Sequence, residues 1–438
     1  MPENSSASSA PVRLAATKPF PWYERTQELA LALVLILICG LLKIGGSAYI
    51  AFAFGGSFII FLGTRPARGS LIKSLVLAAV FAAVYHLHHG VRVDYFGSGF
   101  GTLMGFLGMG AVQTLAGEWI FAKPAAKRKA TPWASRTVQN LRYACAIPAL
   151  CVGSMLAVGT AAQLTPVTYD PLVYAFDGKF GFPSWVIGQA FRSHMWLWAT
   201  CGVVYNTLPL ALSVCLAMQW QYRVKFPIDM GAAVLSIGVV GFLLYQICPA
   251  AGPVYLFPND FPTRVPHVLD VMRIHLPPAP RNGMPSLHVA WALLMAWNLR
   301  VRRILLPVGF FFLGCTILAT IGSGEHYLAD LIVSPALVLA IQSAFRGIPN
   351  ALRPAGLTVG SAITLGWLIA FRTGAAMAIP SGQFAWWALA ASVLTPAMIA
   401  WRANTLEEKS EQPDLVQRAG NYQAELAEGA DETVSRTT

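Results

Sequence analysis

Apolar runs of about 17 to 25 residues, the length that crosses a bilayer as a helix, recur about a dozen times along this chain with short polar stretches between them. They fall near 28–44, 46–63, 71–90, 101–121, 141–165, 194–219, 229–248, 285–299, 304–321, 326–345, 356–373 and 383–401. The pattern predicts an all-α integral membrane protein with about twelve transmembrane helices. Its ends are polar: residues 1–27 and 403–438 are expected to be disordered, the latter as an acidic tail, because they hold too little apolar side chain to form a core.

If no span is missed, alternate loops should carry the Lys and Arg excess. They do: Arg65, Arg68 and Lys73, then Lys123, Lys127, Arg128, Lys129 and Arg136, then Arg223 and Lys225, then Arg300, Arg302 and Arg303, then Arg346 and Arg353 all fall on one side. That side is assigned to the cytoplasm and holds both termini. The loops bearing His288 and His326 then face the opposite, extracytoplasmic side. The basic stretch 123–136 is the clearest internal boundary. It separates a four-span N-terminal region (28–140) from a six-span core (141–346), followed by two C-terminal spans (347–402).

Composition agrees with this reading. Of 438 residues 55% are hydrophobic and only 12% charged, with a mean hydropathy of +0.55, against roughly 25% charged residues in ordinary soluble domains. The net charge of +11 resides in the inter-span clusters rather than along one face, so it is read as a topology signal and not as a nucleic-acid surface. The seven cysteines form no C-x-x-C pair and lie mostly within apolar runs, which indicates neither a disulfide framework nor a thiolate metal site.

The candidate chemistry lies between residues 281 and 330. RNGMPSLH (281–288) precedes two apolar segments, and GSGEHYLAD (322–330) follows them. These segments form a hairpin that leaves and returns to one membrane face, so His288 and His326 are expected at one depth. Polar groups at such positions are costly and usually functional. His326 and Asp330 are four residues apart and share a helix face. A carboxylate accepting from one ring nitrogen leaves the other lone pair as a nucleophile. His288 follows Pro285 and Ser286 at a helix start, where unpaired N–H groups favour an anion. Arg281 and Arg273 share its loop and are candidates to neutralise phosphate oxygens, arginine offering the bidentate geometry.

PSLH followed by HYLAD resembles the paired signatures of the type-2 phosphatidic acid phosphatase superfamily, whose usual form is PSGH and then SR-x5-H-x3-D. The resemblance implies that His326 is the nucleophile that forms a phosphohistidine, Asp330 its orienting partner and His288 the acid for the leaving group. Three departures stand out. Leu287 replaces the usual Gly, Thr320 occupies the position of a phosphate-binding Arg, and the upstream K-x6-RP signature is absent from the catalytic-side loops. CPAAGPVY (248–255), MPSLH and HYLAD are also similar to inositol phosphorylceramide synthases and, more distantly, to sphingomyelin synthases, which transfer phosphorylated head groups between lipids. Ser286, Tyr327 and Tyr255 of these motifs join Arg281 and Arg273 as substrate-binding candidates.

The resulting expectation is a phosphotransferase with a lipid phosphate as donor and a lipid or water as acceptor, needing no metal or other cofactor. Three alternatives stand beside it. One is hydrolysis of a lipid phosphoester, and another is a non-catalytic lipid transporter or binding protein. The third is a non-haem iron site of two histidines and a carboxylate, to which His86, His88 and His89 lend superficial support. Val265, Val268, Leu269 and Met272 follow helical spacing and suggest an interfacial helix over 264–276. The aromatic segment 166–191 is either a cover for the site or an ordinary surface loop.

Overall fold

The computed structural model describes residues 48–89, 98–121, 132–221, 226–276, 279–345, 347–403 and 405. The expected first span at 28–44, both polar ends and the basic residues at 123–129, 223, 225 and 346 lie outside them.

Helices dominate. In chain order they are α1 (Ala48–Gly63), α2 (Arg68–His89), α3 (Ser98–Ile120), α4 (Pro132–Leu164), α5 (Asp170–Gly178), α6 (Pro183–Ser193), α7 (Met195–Asn206), α8 (Leu208–Trp220), α9 (Met230–Leu244), α10 (Pro253–Leu256), α11 (Leu287–Asn298), α12 (Leu306–Gly322), α13 (Leu328–Ala344), α14 (Arg353–Thr373) and α15 (Gln383–Ala403). Local signals set several starts. Proline occupies the first turn of α5, α6, α8, α12 and α14, where its missing N–H costs nothing. The Asp229 carboxylate caps α9 by accepting the Ala232 N–H at 3.1 Å, the usual role of a short polar side chain at this position.

Among the described residues six helices are long and apolar enough to cross a membrane, and a seventh span arises if α7 and α8, bent by 43° at Thr207, count as one. The expectation was about twelve. Three further segments form apolar helices of only 14 to 17 residues, shorter than a full crossing requires.

α1 packs against α3, α4 and α8, while α13 lies along α14 and α12 contacts α6, α7 and α11. Close backbone approach makes the first of these contacts possible: a Cβ at Gly108 would collide with the carbonyl of Phe54. Small residues play this part where lipid removes the hydrophobic drive between helices. The main buried cluster joins α1, α3, α4 and α5 to α8, α9, α11, α13 and α14.

Two short strands, β1 (Val167–Thr168) and β2 (Ile274–His275), pair antiparallel, with Val167 opposite His275. The interfacial helix expected over 264–276 does not form. That segment is irregular, with strand only at Ile274–His275 and with Val265, Val268 and Met272 exposed. Pairing with β1 takes one end of it, and two side chains hold the other: Trp185 Nε1 donates to the Arg264 carbonyl at 2.8 Å and Tyr174 Oη to that of Pro266 at 2.6 Å. Those tertiary bonds outweigh a four-residue helical spacing. The aromatic segment 166–191 is instead where helices form, α5 and α6, and its Tyr174, Phe182 and Trp185 pack with Phe257 and Phe261.

Candidate active site

Three loops meet at one end of the helices, and they are the three motif loops of the sequence: 248–252, 281–286 and 322–327. Backbone hydrogen bonds stitch them together. Gly283 N–H donates to Ala250 O at 2.9 Å, Val254 N–H to Gly324 O at 2.9 Å and Ser286 N–H to Asp330 O at 3.0 Å. Gly252 has φ +114, and a Cβ there would lie 2.5 Å from the Glu325 carbonyl, so only glycine permits this approach.

The His326 side chain is 1% exposed. Its Nδ1 lies 3.0 Å from the Gly283 carbonyl and 3.3 Å from Asp330 Oδ2. A carbonyl can only accept, so Nδ1 carries the hydrogen and the lone pair belongs to Nε2. Nε2 has no hydrogen-bond partner among the described residues. Asp330 Oδ2 also accepts the Tyr327 N–H at 2.8 Å, which ties the carboxylate to the start of α13. Its Oδ1 is buried without a hydrogen-bond partner among the described residues.

Ser286 precedes α11, and its buried hydroxyl likewise has no partner among the described residues. His288 stands in the first turn of α11, half-buried, with Nδ1 3.1 Å from the Tyr205 hydroxyl and the two rings 4.5 Å apart. A phenol can both donate and accept, so Tyr205 satisfies Nδ1 in either protonation state of the ring.

His288 and Glu325 line a cavity of about 750 Å³ between α4, α7, α9 and α11. Its walls are largely apolar, with Val158, Phe242, Leu287 and Trp291, and its polar groups include Tyr205, Asn206 and Asn282; among the described residues no lysine or arginine lines it. Leu287, where the signature usually has Gly, is accommodated because it packs against Gly241 of α9, where any Cβ would strike its methyl groups.

The remaining predicted site residues are placed differently from the expectation. Arg281 is fully buried, and its guanidinium donates to the carbonyls of Thr165 at 3.1 Å, Ala279 at 2.9 Å and Leu276 at 3.0 Å. It ties the end of α4 to β2 instead of turning to the cavity. Arg273 is exposed beside β2. Tyr327 is buried, with its hydroxyl donated to Asp170 Oδ1 at 3.0 Å. Tyr255 lies near Glu325: burial first and that carboxylate second push its phenol pKa above the usual value. Thr320, at the position of the usual Arg, donates its hydroxyl back to its own helix at Thr316 O. Among the described residues no three His, Cys, Asp or Glu side chains are grouped as a metal site, and the side chains of His88 and His89 lie outside that set.

Several partners were not legible beforehand. Tyr205 is one tyrosine within an apolar run and carries no pattern. Asp170, Asp177 and Ser184 lie in the aromatic segment 166–191, and two acids there were the available signal, since carboxylates are almost never fully buried unless partnered.

A family model described as the PAP2 superfamily matches residues 172–344. This segment belongs to the PAP2 superfamily. Members of that superfamily are phosphatases and phosphotransferases, and the PAP2 segment contains both histidines, Asp330, Tyr205 and the helices α5 (from Leu172) and α6. No curated protein and no solved structure matches the chain. With its long apolar helices, the chain has the character of a multi-pass membrane protein, and the PAP2 match that of a lipid enzyme of the phosphatase/phosphotransferase type.

Proposed function

We propose that the protein transfers a phosphate or phospho-head group between lipids through a phosphohistidine on His326, in the manner of inositol phosphorylceramide synthases. The observation that carries the reading is the fixed ring of His326: Nδ1–H is held by Gly283 and Asp330, leaving Nε2 as the lone-pair atom. Nε2 attacks phosphorus, the bond from phosphorus to the leaving lipid oxygen breaks, and His288 gives that oxygen its proton. The acceptor hydroxyl then returns a proton to His288 and attacks phosphorus, the P–N bond breaks, and His326 is regenerated. General acid–base help of this kind contributes typically 10²- to 10⁴-fold.

The cavity supports a lipid substrate and favours transfer of a phosphodiester group. Its walls are apolar, and it presents no lysine or arginine but does present the Glu325 carboxylate. A phosphodiester brings one negative charge to such a site. A phosphomonoester brings close to two and calls for cationic partners. Hydrolysis remains the second reading, because water fits wherever a lipid hydroxyl does. The active site is assigned to the extracytoplasmic face on the basic-loop asymmetry of the sequence.

The test offers purified protein labelled lipid phosphoesters together with lipid alcohols, then separates free phosphate or head group from new lipid. Labelled new lipid is the expected product, and release into water alone identifies a hydrolase. His326→Ala should be inactive; a fully active His326→Ala overturns the mechanism.

A further inference from the structure

Asp177 lies near the C-terminal end of α5, outside the three motif loops, and its side chain is completely buried. Oδ1 accepts the Leu328 N–H at 3.0 Å, from the first residue of α13. Ser184, in the first turn of α6, has its Oγ 3.1 Å from the His326 carbonyl and 3.4 Å from Asp177 Oδ2. One serine hydrogen is thus shared between the backbone of His326 and the carboxylate. Asp170, at the other end of α5, accepts from the N–H groups of Ala251 and Gly252 at 3.0 and 2.8 Å, and from the Tyr327 hydroxyl at 3.0 Å. The His326 carbonyl and the two residues that follow it are therefore gripped from α5 and α6.

We infer that Asp177, acting with Ser184, is a positioning residue for His326, fixing the backbone on which the attacking ring is carried. Two different restraints act on that residue. Gly283 and Asp330 orient the ring, whereas Ser184 holds the carbonyl and Asp177 holds the helix start immediately after it. A ring fixed at Nδ1 still misdirects Nε2 if its Cα shifts, and a misplacement of about 1 Å costs on the order of 10²-fold in rate.

The composition of the clamp points to function. A buried carboxylate without a cationic partner is costly, and among the described residues Asp177 meets only N–H and hydroxyl donors, with Asp330 as a repelling neighbour. An apolar residue would bury more cheaply at that position. The hydrogen bonds to Leu328 and Ser184 account for its presence at the start of α13.

The inference rests on His326 as nucleophile, and the experiment separates the two. Asp177→Asn, which keeps an acceptor for the Leu328 N–H, Asp177→Leu, which removes it, and Ser184→Ala are compared with His326→Ala in the transfer assay. Each variant is first checked for folding by its melting temperature in detergent. The expected result is a graded loss of kcat with KM within about twofold: roughly threefold to tenfold for Asp177→Asn and Ser184→Ala, more than about thirtyfold for Asp177→Leu. If Asp177→Leu fails to fold, the other two carry the comparison. Unchanged kcat in folded Asp177→Asn and Ser184→Ala, or a loss residing in KM, overturns the positioning role while His326→Ala stays inactive. Activity in His326→Ala overturns the nucleophile assignment instead.

Discussion

Nδ1 of His326 lies 3.3 Å from Oδ2 of Asp330, four residues further along the chain, and the same oxygen accepts the Tyr327 N–H at 2.8 Å. The carboxylate thus joins the ring to the first turn of α13, and under the proposed mechanism it faces the positive charge that forms when Nε2 bonds to phosphorus. Asp330→Asn keeps the shape and removes the charge. A hydrogen bond to a charged group contributes about 1.5–3 kcal/mol, so kcat should fall on the order of 10- to 150-fold. Steady-state rates together with trapping of acid-labile phosphoenzyme check this, the phosphoenzyme forming more slowly in the variant.

Tyr205 holds Nδ1 of His288 at 3.1 Å, and under the proposed mechanism it supports a ring that alternates between acid and base. Tyr205→Phe leaves the ring stacking in place and removes one hydrogen bond, a contribution of about 0.5–1.5 kcal/mol. The expected loss in kcat is therefore about two- to tenfold. Substrates with a more acidic leaving group need less protonation and should show a smaller loss, which a leaving-group series measures.

Arg281 distinguishes a structural role from phosphate binding. With its guanidinium on the carbonyls of Thr165, Ala279 and Leu276, Arg281→Lys replaces a planar fork by a single point donor and leaves buried carbonyls unpaired. Stability should fall by about 2–3 kcal/mol, read as a lower melting temperature in detergent. A normal melting temperature with a raised KM would return Arg281 to the role of a phosphate clamp.

Gly241 and Leu287 form a size-matched pair across α9 and the start of α11. Gly241→Ala should cost about 1–3 kcal/mol as an overpacked contact and lower kcat by pushing on the residue before His288. Leu287→Gly should relieve it. In a double-mutant cycle the two substitutions are therefore coupled, with the double variant more stable than the sum of the single effects. Additive effects would show that the two side chains do not share this space.

Asp177 and pH form the last pair. Burial, and then the charge of Asp330, raise its pKa well above the ordinary carboxylate value. The folded protein therefore binds this proton more tightly than the unfolded chain does. Its contribution favours folding below the unfolded pKa and is lost as pH rises from there through the raised folded pKa. Asp177→Asn removes the dependence, so its melting temperature relative to the parent should climb between pH 4 and pH 8. A constant difference across that range would contradict the raised pKa.

The helices and the site were legible in the sequence to different degrees. Apolar runs mark most described helices within a few residues, because a chain in lipid must satisfy every backbone group internally and helix is the local way to do so. The spacing of His326 and Asp330 foretold their contact but not its geometry: His326 lies two residues before α13 rather than on its face, and the extended Tyr327 between them turns the ring back to Asp330. Length gave less: α9, α11 and α13 are too short to separate a span from a buried helix by composition.

What the sequence determined by itself was therefore local: apolar stretches, proline starts, the i, i+4 relation of His326 to Asp330, and the family resemblance of its motifs. The tertiary structure decided everything that depends on distant partners. It set Tyr205 on His288 from 83 residues away and Asp177 on Leu328 from 151 away, and it turned Arg281 onto carbonyls. It also left 264–276 without a helix and paired its end with β1. The physical reason is common to all four. Hydrogen-bonding groups buried at the meeting of several helices must find partners wherever the packing brings them, and no spacing along one segment encodes which partner that will be.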